Sequence, residues 1–204
     1  APTGSALLAA MGGARGLVES ILPGFAFLIV YTITGELLPS VLIPVGISVL
    51  FVVIRVVTKS PYTSAIAGVL GIALSAGFAL FTGRAQDNFV FGFVVNAVFL
   101  IALLVSLAAR WPLIGVIASL ITSEGSRWRA DRAKMRVAVI ATILWCALFA
   151  VRLGVELPFY FAGNTAALAA LKLVLGVPLY AAMLWVTWLL VRAAWRRETP
   201  REVG

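Results

Sequence analysis

The chain has 204 residues, of which 62% are hydrophobic and 12% charged, with a formal net charge of +8. Soluble domains are about 45–50% apolar and about 25% charged, so this composition excludes an ordinary water-soluble fold and points to an integral membrane protein. There is a single cysteine, Cys146, and no histidine, which excludes an internal disulfide and metal sites built on His or Cys clusters.

Taken in chain order, the hydropathy predicts six spans at about 20 residues each. The first covers residues 17–34 and holds Pro23 and Gly24. Both are tolerated in spans because neighbouring helices re-satisfy the freed backbone groups. Gly35-Glu36 reads as a tight turn, and the second span, 37–57, carries Pro39 and Pro44, with Arg55 and Lys59 at its end. The third, 62–82, has Gly68, Gly71, Ser75, Ala76 and Gly77, at spacings that let helix backbones approach closely. A polar turn over 83–88 leads to the fourth, 89–109. The run 113–121 is too short to cross and is expected to be interfacial or re-entrant. A basic loop, 122–136, precedes the fifth span, 137–157, and the sixth covers 166–191. The expected fold is all-α: a polytopic six-helix transmembrane bundle over 17–191, between an N-terminal tail, 1–16, and a basic tail, 192–204. Residues 1–10 carry no positive charge, so no cleavable signal peptide is expected.

Six spans put both termini on one side. Thirteen of the sixteen Lys and Arg residues fall on that side, Arg84 alone on the other, and Arg152 and Lys172 inside spans. Cytoplasmic loops carry the excess of Lys and Arg, so both termini are expected in the cytoplasm beneath the plasma membrane. Arg127, Arg129, Arg132, Lys134 and Arg136, with Trp111, Trp128 and Trp195 nearby, are expected to sit on the anionic inner leaflet. Each such cation contributes about 1 kcal/mol of attraction. Basic residues beside apolar spans, rather than over a soluble face, argue against nucleic acid as a partner. A docking role for a cytosolic partner is compatible with the same loop, and a membrane-protein partner or a second copy of the chain is a separate expectation.

Charges at membrane depth are expensive and are normally paired, buried or functional. Arg152 and Glu156 are spaced i, i+4 and share a helix face. At about 1.5 Å of rise per residue, Lys172 on the sixth span and Asn96 on the fourth reach a similar depth in the outer leaflet. These four are the candidate ligand-binding residues, suited to an anion such as a phosphate-bearing headgroup or small solute. The plain alternative is an ion-pair network that fixes helix packing, with Lys172 reaching to the surface. Glu19 reads as a helix-terminus ion pair with Arg15. For catalysis the inventory is thin: no nucleophile elbow, no phosphate-binding loop, no His base and no paired Asp-rich motifs. No catalytic residue, cofactor or metal site is expected, and the chain is read as a non-enzyme.

The stretch Gly12-Gly13-Ala14-Arg15-Gly16-Leu17-Val18-Glu19-Ser20-Ile21-Leu22-Pro23 resembles the opening of an uncharacterised actinobacterial family of polytopic membrane proteins, a domain of unknown function. Leu148-Phe149-Ala150-Val151-Arg152-Leu153, Leu157-Pro158 and Gly176-Val177-Pro178-Leu179-Tyr180 extend that resemblance over most of the chain. More distantly, Leu22-Pro23 through Tyr31-Thr32-Ile33-Thr34-Gly35, and Asn88-Phe89 with Asn96, resemble the intracellular septation protein A group of small inner-membrane proteins. Lys172 with Gly176 resembles a Lys-x-x-Gly-like stretch of that group at a different spacing. The second resemblance implies a role in envelope homeostasis or division, exercised through lipid or partner binding. A small transporter or channel for an ion or anionic solute is the alternative expectation.

Overall fold

The structure is a computed structural model that describes residues 13–59, 63–122 and 125–195. Among the described residues all regular structure is helical: α1 (Gly13–Thr34), α2 (Leu37–Val57), α3 (Thr63–Thr82), α4 (Val90–Ala108), α5 (Leu113–Thr122), α6 (Arg132–Phe161), α7 (Thr165–Val174) and α8 (Val177–Trp195). Short 3-10 turns cover Ala85–Phe89 and Arg127–Ala130. Among the described residues four stretches are long and apolar enough to cross a membrane: Leu37–Val57, Ala85–Ala108, Arg132–Phe161 and Thr165–Trp195. Only 0 to 39% of each one's apolar window is buried. Continuous apolar surface on that scale is what lipid, not water, covers. Ile21–Thr34, Gly68–Thr82 and Leu113–Thr122 are shorter apolar helical stretches. The expected tails, 1–16 and 192–204, fall largely outside the described residues, and α1 already begins at Gly13.

Left-handed residues close several helices. Gly35 (φ 65°) ends α1, its N–H on the Tyr31 carbonyl at 2.9 Å. Gly163 (φ 68°) ends α6, with the Gly163 and Asn164 N–H groups returning to the Tyr160 and Phe159 carbonyls at 3.0 Å, a Schellman closure. Asn164 then caps α7 at once, accepting from the Ala167 N–H at 3.0 Å. A cap and a stop in consecutive residues make the connection short.

Two prolines act in opposite ways. Pro158 lies inside α6, which continues past the expected end at 157 to Phe161. In lipid, stopping a helix exposes more unsatisfied backbone than one missing hydrogen bond does. The expected sixth span is instead interrupted between Val174 and Val177. The Leu175 N–H closes on the Leu171 carbonyl at 2.7 Å, and a Cβ at Gly176 would collide with the Lys172 carbonyl oxygen. Pro178 has no N–H to donate and its ring excludes a helical carbonyl four residues earlier.

By internal contact the chain divides into two compact units, Ala1–Val95 with Gly154–Leu179, and Asn96–Leu153 with Tyr180–Gly204. In the first, α1 packs on α2, α2 on α3, α3 on the Ala85–Phe89 turn, and α7 on both that turn and α1. These elements therefore contact one another in a closed series, and Phe27, Ala79, Phe89 and Leu168 on them are buried. Phe27 meets Phe89 edge-on at 5.6 Å. A Cβ at Gly24 would lie 3.0 Å from the Leu173 side chain, so glycine permits the close approach of α1 to α7.

In the second unit α5 lies against α6. Gly115 faces Ala138 and Trp128, where a Cβ would come within 2.6 Å of each. The Leu113 and Ile114 N–H groups donate to Ser106 Oγ (3.2 Å) and Thr142 Oγ1 (3.3 Å), which satisfies helix-start donors without solvent. Gly115, Ala118 and Ser119 form the buried face of α5, whereas Ile117, Leu120 and Ile121 are exposed. The run expected at 113–121 is thus a ten-residue apolar helix, shorter than a span, with one packed and one open apolar face.

Candidate functional site

In the second unit the structure gathers two of the four predicted ligand-binding residues around a third that was not among them. Asn96 on α4 and Arg152 on α6 are 5% and 7% exposed. Tyr180, on α8, donates its hydroxyl to Asn96 Oδ1 at 3.4 Å, and the Arg152 guanidinium carbon lies 5.2 Å from the Tyr180 ring centroid. The ring is further fixed by Trp145 at 6.0 Å and Phe149 at 6.1 Å. The Trp145 indole N–H in turn donates to Thr187 Oγ1 at 3.0 Å. A buried guanidinium against a phenol face is a favourable cation–π placement, and desolvation strengthens it. Tyr180 was legible in principle, because a tyrosine inside an apolar helix needs a partner for its hydroxyl.

Glu156 and Lys172 belong to the first unit. Glu156 sits one turn beyond Arg152 along α6, as the spacing predicts, and is 4% exposed. Lys172 is in the last turn of α7, an exposed residue whose ammonium is 5.0 Å from the Phe89 ring centroid. The same unit contains a pairing that spacing alone did not suggest. Tyr160 donates its hydroxyl to Asp87 Oδ1 at 2.8 Å, and Asp87 is only 3% exposed. Phe93 packs edge-on to the Tyr160 ring at 5.5 Å. At the far end of α1, Glu19 Oε2 takes Arg55 Nη2 and Nε, each at 2.6 Å. The spacing offered Arg15 as the partner of Glu19; the Arg15 side chain lies outside the described residues.

The basic segment is not one uniform surface. Arg127, Arg129, Arg132 and Arg136 are exposed. Lys134, grouped with them by sequence, is 2% exposed with its ammonium 5.5 Å from the Trp195 ring, and Trp128 is 1% exposed beneath α5. The reason is local. Asp131 Oδ1 accepts from the Ala133 and Lys134 N–H groups at 2.7 and 3.3 Å, so α6 starts at Arg132 and helical phase turns Lys134 inward. Arg129 stacks on Trp111 at 3.9 Å and donates to the Arg110 carbonyl at 3.4 Å. Among the described residues no group of three His, Cys, Asp or Glu side chains is arranged to hold a metal ion.

Long apolar helical stretches of spanning length, with Arg152, Glu156 and Asn96 each buried, define the class: an α-helical membrane protein. The chain matches, over residues 11–198, the family model described as a protein of unknown function, DUF3159, and belongs to that family. No curated protein and no solved structure matches it.

Proposed function

We propose that the chain is a six-span bacterial inner-membrane protein with cytoplasmic termini, and that it binds anionic lipid of the inner leaflet without catalysing a reaction, in envelope homeostasis. The observation that carries this reading is the exposed apolar face of α5, Ile117, Leu120 and Ile121, next to exposed Arg127, Arg129, Arg132 and Arg136. A helix that lies in the headgroup region combines these two features, apolar side chains toward the acyl chains and cations toward phosphate. The excess of Lys and Arg on the same side supports the orientation. Unfolding of the protein in nanodiscs is the test. Phosphatidylglycerol should raise the transition temperature above that in phosphatidylcholine, and Arg127, Arg129, Arg132 and Arg136 all changed to Gln should remove most of the difference. Equal stability in the two lipids rejects the proposal.

A second reading, a small channel or transporter for an anionic solute, is favoured by one observation: Arg152 and Asn96 meet on Tyr180 inside spans. Glu156 and Lys172 are its further candidate residues. Proteoliposomes should then pass a small anion, and Arg152→Gln should reduce the flux at least tenfold while the protein stays folded. An impermeable wild type excludes this reading and leaves the lipid reading intact.

A further inference from the structure

The first unit holds a buried carboxylate and a buried hydroxyl that the lipid reading does not use. Asp87 is 3% exposed, and its one side-chain hydrogen bond among the described residues is the one from Tyr160. Nearby Arg84 keeps its charge but is exposed to solvent, and its guanidinium donates to the Gln86 amide oxygen, turned toward it, at 2.8 and 3.1 Å rather than to Asp87. Thr165 is 2% exposed, and its hydroxyl has no hydrogen-bond partner. Thr165 opens α7, the helix that packs on the Ala85–Phe89 turn carrying Asp87. A buried polar atom without a partner is rare and marks an unseen ligand, water or ion. A buried carboxylate likewise calls for a balancing positive charge.

We propose that Asp87, Tyr160 and Thr165 bind a small monovalent metal cation. Each offers oxygen, the ligand type of hard cations. The Tyr160 oxygen keeps its lone pairs free while its proton serves Asp87. One carboxylate balances one positive charge, whereas a divalent ion would leave a net charge buried in a spanning protein. Tyr160 also sits in the last turn of α6, where the helix end is partially negative.

The test uses the full chain in phosphatidylcholine nanodiscs, unfolded thermally in NaCl, KCl or choline chloride at matched ionic strength. The transition temperature should rise with Na⁺ or K⁺ and not with choline. Asp87→Asn should abolish the rise. Thr165→Val, which keeps the shape and removes one ligand, should move the half-maximal cation concentration upward by roughly fivefold or more. Should Asp87→Asn fail to fold, Thr165→Val decides alone. An equal rise in choline chloride overturns the proposal. So does a cation response that survives Asp87→Asn, or a Thr165→Val protein that is simply more stable with its cation response unchanged, as relief of an unsatisfied hydroxyl alone would give.

Discussion

Trp128→Ala is expected to destabilise the protein by about 3–5 kcal/mol, the range for deleting a buried large aromatic. Its ring is 1% exposed and lies against the Gly115 position of α5. Removing it opens a void beside Gly115, where α5 is held to α6 by the Ile114 to Thr142 hydrogen bond. Trp111 is the control, being 45% exposed and covered on one face by Arg129. Trp111→Ala should cost about 1 kcal/mol or less, the scale of an exposed cation–π contact. Unfolding of both variants in the same detergent separates the roles. Equal losses would mean that Trp128 packs no more tightly than the exposed Trp111. The reciprocal change, Gly115→Val, should also destabilise, because even its Cβ meets two neighbours at 2.6 Å, and overpacking costs about 1–3 kcal/mol.

Glu19→Leu should cost a comparable amount, about 3–5 kcal/mol, whereas Glu19→Leu combined with Arg55→Leu should recover most of it. The pair joins α1 to α2 at 2.6 Å, with side chains only 9% and 12% exposed. Deleting the carboxylate takes the Glu19 charge away from a largely desolvated guanidinium, while deleting both groups removes the desolvation cost together with the attraction. A double variant no more stable than the single one would show that Arg55 depends little on Glu19. The measurement is again the unfolding midpoint of the full chain in a single detergent.

The helices were legible because a membrane leaves the backbone few options. Each of 17–34, 37–57 and 62–82 reappears as a helix within a few residues of its expected bounds, since runs of apolar residues in lipid must satisfy their own N–H and C=O groups. The short run 113–121 was legible for the same reason in reverse, being too few residues to cross. What periodicity could not give was helix phase against a neighbour. Lys134 and Trp128 looked like surface residues from their place in a basic loop, and only the start of α6 at Arg132 turns Lys134 inward. Asp87 and Tyr160 are 73 residues apart, and no local pattern foretells a hydrogen bond over that distance.

The amino-acid sequence by itself determined that this is an all-helical membrane protein, where most of its helices run, and that Asn96, Arg152 and Glu156 are polar residues set in apolar helices. Composition and hydropathy suffice for this, because the lipid solvent acts on every residue in the same way wherever its neighbours lie. The tertiary structure alone decided which polar groups meet: Asn96 and Arg152 on Tyr180, Asp87 with Tyr160, Glu19 with Arg55. Those meetings depend on crossing geometry set by close contacts such as Gly24 against Leu173 and Gly115 against Trp128. Such contacts are short-ranged in space yet long-ranged along the chain, which is why packing, not pattern, fixes them.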